Sequence, residues 1–222
     1  MSHSEFDIFD KKLRNILELR SQFYDESCIL MFVFLDFLSK YVESPYSKDD
    51  ARYNGSNFRH FLKHHSGCEE TLRCIQIDKF VSDYNTGEID RQEYQKYFES
   101  IESKLQEVKE ENIECPVSQL IDTINVDPMH LKYFREISIY NKIYGLRNLA
   151  VHDYRNYLQW GIDCREPVLS YTQNIDAERE GWYNTYVPFE FIYKIVVNCY
   201  TKVRAEYKGF FDSYFKEDTD IT

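Results

Sequence analysis

The fold is decided by residues 28–38, with the sequence CILMFVFLDFL, in which Asp36 is the only polar side chain. A helix through this run is apolar on nearly all sides, which predicts a position in the middle of a helical bundle. The run is also well short of the roughly 20 apolar residues that cross a bilayer. We therefore expect a core helix and no membrane span.

The rest of the chain also favours helices. No Gly or Pro occurs from residue 4 to residue 42, so we expect two helices that meet near residues 23–25. Helical spacing of apolar residues predicts further helices over 58–65, 91–111, 118–125 and 189–215, and one that carries residues 147–152. Asp90 is placed to cap the helix from residue 91, and Asp127-Pro128 to start another. The segment 71–84 fits either a helix or a strand.

One segment has a different pattern. From Gln159 to Pro188, four Gly and Pro residues separate short pieces that are rich in aromatic and β-branched side chains. This pattern predicts a β-hairpin over residues 159–188, inserted before the last helix. The expected fold is therefore mostly α: an up-and-down helical bundle, in a single domain over residues 1–222, with one small β-hairpin insertion.

Charge and composition exclude several classes of protein. The formal net charge is −11 at pH 7. Affinity for nucleic acid depends largely on Lys and Arg that neutralise phosphates, so a broad basic surface is excluded and any phosphate chemistry must be local. Six scattered Cys without a CxxC pair, and no secretory leader, predict reduced thiols in a cytoplasmic protein. The lack of P-loop, GxSxG and HExxH motifs argues against nucleotide hydrolysis by a P-loop and against serine hydrolysis.

Residues 147–154, RNLAVHDY, contain four groups suited to work on a phosphodiester. The guanidinium of Arg147 matches phosphate oxygens and keeps its charge, and the imidazole of His152 can accept a proton from a sugar hydroxyl near neutral pH. Asn148 lies four residues before His152, where its amide can orient the imidazole or touch the phosphate. The phenol of Tyr154 can bind substrate or be modified. We expect no metal and no other cofactor.

The spacing of the motif bears on oligomeric state. On an ideal helix each residue turns about 100°, so Arg147 and His152 project about 140° apart and are not expected to meet within one chain. Two copies related by a two-fold axis would bring both pairs into one cleft, because such a contact presents the same patch twice. We therefore expect a homodimer with a shared site.

Two other interpretations of the motif stay open. Arg59 and His64 have the same spacing as Arg147 and His152, and spacing alone does not favour either pair. In the second interpretation, Arg147 is a surface residue paired with a carboxylate and His152 fills a helix interface.

A metal site is the remaining candidate. His60, His64 and Cys68 follow one another at four-residue intervals. These three side chains are candidate zinc ligands if one helix continues through all of them. Gly67 is expected to end that helix first.

The string YGLRNLAVHDY at residues 144–154, near the end of a helical chain and before its last long helix, resembles the motif of the HEPN superfamily of α-helical bundle proteins. That motif is an Arg, a polar residue that is often Asn, three variable residues and a His. Arg147, Asn148 and His152 match it. Tyr154, two places after the His, also matches a toxin subset of the superfamily.

The resemblance implies a metal-independent endoribonuclease that acts at a dimer cleft, as a toxin or a defence protein. It implies that His152 is the base on the 2′-hydroxyl, that Arg147 stabilises the phosphate in the transition state, and that Asn148 assists. The implied partners are a second copy of the chain, an RNA substrate and a minimal nucleotidyltransferase antitoxin that modifies Tyr154. The alternative is a non-catalytic helical interaction module that binds a protein partner or a nucleotide.

Overall fold

The computed structural model of this chain describes residues 5–42, 54–111, 114–116, 126–154, 169–173 and 183–214. Most of these residues are helical, which confirms the predicted mostly-α helical bundle. Within these ranges no helix is both long enough and apolar enough to cross a membrane. The elements in chain order are α1 (Glu5–Leu19), α2 (Tyr24–Tyr41), α3 (Asn54–His65), α4 (Glu69–Arg73), α5 (Ile77–Thr86), α6 (Arg91–Glu111), β1 (Glu114–Pro116), a 3-10 turn (Pro128–His130), α7 (Leu131–Glu136), α8 (Ile139–Asp153), β2 (Ser170–Gln173), β3 (Tyr183–Tyr186) and α9 (Phe189–Tyr214).

Local signals in the sequence account for several boundaries. The first two helices meet where predicted, between Leu19 and Tyr24. The carboxylate of Asp90 accepts hydrogen bonds from the backbone N–H groups of Gln92 and Glu93, at 2.8 and 3.1 Å, and so caps α6 as expected. The ambiguous segment 71–84 is mostly helical: it includes the end of α4 and most of α5, while Ile75 between them forms an isolated β-bridge with Ser138. The predicted helix over 118–125 lies outside the described residues.

The predicted hairpin is confirmed. β2 and β3 pair in antiparallel fashion, with Ser170 opposite Tyr186 and Gln173 opposite Tyr183. The sequence pattern did not indicate a third strand, β1, which pairs antiparallel with β2 and completes a sheet in the order β1-β2-β3.

The chain forms two compact units. The first contains α1, α2, α3, α8 from Tyr144 onward and α9 from Ile192 onward. The second contains α4 to α7, the sheet, the first turn of α8 and the first residues of α9. Each unit is built from segments that are distant in the sequence, and the expectation of one domain over residues 1–222 stays a prediction.

The core of the first unit is aromatic. The ring of Phe9 on α1 lies 5.9 Å from that of Phe34 on α2 and 6.3 Å from that of Tyr200 on α9. α2 buries most of its apolar side chains, but Leu30 and Val33 are 40% and 41% exposed. α2 thus buries most of its faces within this unit, while the face that carries Leu30 and Val33 is partly exposed.

The second unit holds its hairpin to α5 through polar groups. The hydroxyl of Thr185 on β3 donates to the carboxylate of Asp78 at 2.6 Å, and the ammonium of Lys142 pairs with the same carboxylate at 3.2 Å. Opposite charges and a hydroxyl therefore satisfy a largely buried acid, as burial of a charge requires.

Tyr133 in the second unit is expected to make folding stability depend on pH. Its hydroxyl donates to the buried carboxylate of Asp83 at 2.9 Å, and burial and this hydrogen bond raise the pKa of Tyr133 far above its ordinary value. Above about pH 10, Tyr133 loses its proton in the unfolded chain but keeps it in the folded protein. Its contribution to folding stability is therefore fully present below that pH and falls as pH rises.

We expect Tyr133→Phe to lower the free energy of unfolding by about 1 kcal/mol at neutral pH. The variant should also lose less stability than the wild type between about pH 9.5 and 11. Urea denaturation across this range checks both effects. If the free energy of unfolding falls equally with pH for both proteins in this range, Tyr133 does not cause the loss of stability at alkaline pH.

Candidate functional site

The candidate site lies at the carboxyl end of α8, in the first compact unit. α8 is continuous from Ile139 to Asp153 and therefore carries the whole RNLAVH motif on one helix. Arg147 is 6% exposed, whereas His152, one residue before the helix ends, is exposed. The helix thus holds a buried cation next to an imidazole that solvent can reach.

The motif residues converge within a single chain. Nη1 of Arg147 lies 3.3 Å from Nε2 of His152, and the same Nη1 donates a hydrogen bond to Oδ1 of Asn148 at 2.7 Å. Asn148 therefore contacts the guanidinium, and its amide supports the cation that faces the imidazole.

The expectation that Arg147 and His152 would not easily meet within one protomer is wrong. The angle of about 140° describes the directions of the Cβ atoms around the helix, and it does not limit where a long side chain ends. Arg places its guanidinium several bonds away from Cβ, so the end of the side chain curls around α8 to reach His152. The pair needs no second copy of the chain to form.

A buried carboxylate holds the other edge of the guanidinium. Nη2 of Arg147 donates to Oδ1 of Asp36 on α2, and the side chains of the two residues are only 7% and 11% exposed. The ammonium of Lys40, one turn later on α2, lies 3.0 Å from the second oxygen of Asp36. Because a charge is seldom buried without a partner, this pair accounts for Asp36 inside the apolar run.

One donor of the guanidinium has no hydrogen-bond partner within the part of the chain that the structure describes. Nε of Arg147 is buried and lacks an acceptor among the residues that the structure describes. A buried donor without an acceptor costs about 1 to 3 kcal/mol. The protein groups around Arg147 thus leave its hydrogen-bonding capacity partly unused.

Aromatic rings flank the guanidinium. Its carbon Cζ lies 5.9 Å from the ring centres of both Phe58 on α3 and Tyr144 on α8, within the range of cation–π attraction. The guanidinium of Arg59 also lies near the Tyr144 ring, with its Cζ 5.8 Å from the ring centre. At Gly55 on α3, a Cβ atom would lie only 3.0 to 3.2 Å from the Tyr144 ring and hydroxyl, so this close approach depends on glycine.

The geometry determines which nitrogen of His152 carries a proton. A guanidinium donates hydrogen bonds and accepts none, so Nε2 of His152 is the acceptor and is unprotonated in this contact. In the neutral ring the proton then lies on Nδ1. In this contact the single lone pair of Nε2 accepts from the guanidinium, so Nε2 can act as a base only when the two groups separate.

The structure distinguishes the two pairs that share the same spacing. Arg147 contacts His152, whereas Arg59 stacks on Tyr144 and donates from Nη2 to the hydroxyl of Ser56 at 3.4 Å. The first pair is thus a buried cation in direct contact with an exposed imidazole.

The candidate zinc ligands do not share one helix. α3 ends at His65, and Gly67 follows with a φ of +65°, a backbone conformation that ends helices. The rings of His60 and His64 lie 4.5 Å apart, while Cys68 lies beyond Gly67 at the start of α4. Among the described residues, no group of three or more His, Cys, Asp or Glu side chains is arranged to hold a metal ion.

Tyr154 follows α8 directly. It is 76% exposed and has a φ of +52°, which is unusual for a residue with a side chain. Its hydroxyl is open to solvent, as both substrate binding and enzymatic modification require. Either role for Tyr154 stays a prediction.

Sequence reasoning missed two residues that build this site, Asp36 and Tyr144. A signal for Asp36 was present, since a lone carboxylate inside an apolar helix needs a cationic partner. Nothing in the sequence distinguishes Tyr144 among the 19 Tyr of the chain.

No protein family model, curated protein or solved structure matches this chain. Membership of the HEPN superfamily therefore stays a prediction from the RNLAVH motif.

Proposed function

We propose that this protein is a metal-independent endoribonuclease of the HEPN type. The observation that carries the proposal is the contact between Arg147 and His152, which joins a permanent cation to the acceptor nitrogen of an imidazole at a helix end. A base and a phosphate-binding cation side by side are the groups that cleavage of RNA by its own 2′-hydroxyl requires.

In the proposed reaction, the contact between Arg147 and His152 opens as the strand binds and frees the lone pair of Nε2. Nε2 of His152 then takes the proton of the 2′-hydroxyl, and the 2′-oxygen forms a bond to the adjacent phosphorus. The bond from phosphorus to the 5′-oxygen breaks, and that oxygen takes a proton from solvent. Arg147 stabilises the negative charge that grows on the phosphoryl oxygens. The products are a 2′,3′-cyclic phosphate and a 5′-hydroxyl end.

The neighbours of Arg147 support this role. Asp36 and Asn148 bind its two Nη atoms and so fix the plane of the guanidinium before substrate arrives. A cation that is already oriented needs no reorganisation during the reaction, which is the basis of electrostatic catalysis. Nε of Arg147, which has no acceptor among the described residues, further indicates a guanidinium that these neighbours do not fully satisfy.

The second candidate function is a non-catalytic interaction module that binds a protein partner or a nucleotide. The observation that favours it is the burial of Arg147 and its ion pair with Asp36, an arrangement that a purely structural residue also adopts. In this case the protein leaves RNA uncut. A homodimer, a toxin or defence role and a nucleotidyltransferase antitoxin are further parts of the proposal under the first function.

Cleavage chemistry separates the two functions. Incubated with total cellular RNA in excess EDTA, the protein should create new ends that carry 2′,3′-cyclic phosphates. A matched oligonucleotide with a single 2′-deoxy sugar at the cleaved position should stay intact, because the attacking oxygen is missing. Cleavage of the deoxy substrate, dependence on added metal, or no new cyclic ends would each contradict the proposed reaction.

A further inference from the structure

The helix α3 carries an unusual charge pattern for this protein. Its sequence, NGSNFRHFLKHH, contains Arg59, Lys63 and three His but no acid, in a chain whose net charge is −11. Arg59 and Lys63 are four residues apart and therefore lie on the same face of the helix. Lys63 is exposed, and Arg59 is partly exposed.

This face is connected to the candidate site through Tyr144. The guanidinium carbons of Arg59 and Arg147 lie 5.8 and 5.9 Å from the centre of the same Tyr144 ring. The two cations are therefore within about 12 Å of each other, each at cation–π distance from one aromatic side chain. This distance is short enough for neighbouring phosphates of one strand to contact both cations.

Stabilisation of the helix end does not explain both cations. Lys63 lies in the last turn of α3, where a positive charge is favourable for the helix dipole. Arg59 lies a full turn earlier, with its Cζ 5.8 Å from the centre of the Tyr144 ring, where that effect has faded. A guanidinium beside a site for a phosphodiester is suited to a second phosphate of the same strand.

We propose that Arg59 and Lys63 on α3 form a subsite for the backbone of the RNA strand whose scissile phosphate lies at Arg147. The inference rests on the proposed function, because it describes how the same site holds its substrate. The subsite contacts phosphates and reads no base, so it binds strands of different sequence alike.

The test measures binding in the background of His152→Ala, so that the strand is not cut. The probe is a fluorescent, unstructured RNA of about 20 nucleotides, longer than a typical single-strand site. Its Kd is measured by anisotropy at several salt concentrations, for the parent and for Arg59→Ser with Lys63→Ser. Each lost phosphate contact should reduce the salt slope by about 0.7, so the double variant should lose about 1.4 and bind at least about tenfold more weakly in low salt.

A matched control removes the same charges elsewhere. Lys11→Ser with Arg14→Ser deletes one Lys and one Arg from exposed positions on α1, in the same compact unit. A salt slope and affinity like those of the parent are expected for this control. Arg59→Lys keeps the charge and should retain most of the slope, which separates loss of a phosphate contact from disturbed packing of Tyr144.

The outcomes separate this inference from the proposed function. If the α3 double variant and the α1 control change the salt slope equally, or neither changes it, the subsite is refuted even in an active ribonuclease. If the wild-type protein cuts no RNA, but the His152→Ala parent binds it with a slope that only the α3 variant reduces, the subsite stands and the ribonuclease proposal fails.

Discussion

Replacement of His152 by Ala is expected to lower the rate of RNA cleavage by at least about a hundredfold, the usual contribution of a general base. The variant should keep nearly all of its folding stability, because the imidazole is exposed and its removal opens no cavity. The loss should therefore appear in the cleavage rate at saturating RNA, measured on proteins with matched thermal unfolding.

Two further measurements make this result specific. Added imidazole should restore part of the activity of His152→Ala, since a free base can enter the space that the side chain leaves. Asp153→Asn, which changes the exposed neighbour at the same helix end, should cleave at a rate close to that of the wild type. Wild-type cleavage by His152→Ala, or failure of imidazole to rescue it, would remove His152 from the role of base.

Replacement of Arg147 by Met is expected to lower the free energy of unfolding by about 3 to 5 kcal/mol, because it leaves Asp36 as a buried charge without its guanidinium. Lys40 also contacts Asp36 but is 71% exposed, so it compensates only in part and places the expected loss at the lower end of this range. Urea denaturation with an unchanged m-value measures the effect.

The same pair distinguishes stability from catalysis. The double variant Asp36→Leu with Arg147→Met replaces both charges by apolar groups and should recover most of the lost stability, since such replacements are often neutral. The double variant should stay inactive, because no cation faces His152.

Arg204→Met is the matched control. It breaks the exposed pair with Asp10 and should lower the free energy of unfolding by less than about 1 kcal/mol. Equal losses for Arg147→Met and Arg204→Met would show that the buried pair is not a stabilising contact.

Local patterns in the sequence were enough to predict most helices. The uninterrupted apolar spacing over α1, α2 and α9, the Asp90 cap of α6 and the Gly and Pro residues around the hairpin are each local signals, and each was confirmed. These features depend on neighbours within a few residues, and so the sequence contains their causes directly. The third strand, β1, was missed because its pairing with β2 joins residues that are more than fifty positions apart.

The sequence by itself determined the chemical groups of the candidate site: Arg147, Asn148 and His152 are in place on one helix because of local helical propensity. Only the tertiary structure decided that the guanidinium bends to His152, that Asp36 from α2 holds it, and that Tyr144 connects it to Arg59. The physical reason is that a long side chain takes the direction in which its charge is best paired and its stem best packed. That direction depends on elements brought in from α2 and α3, and no spacing along α8 contains it.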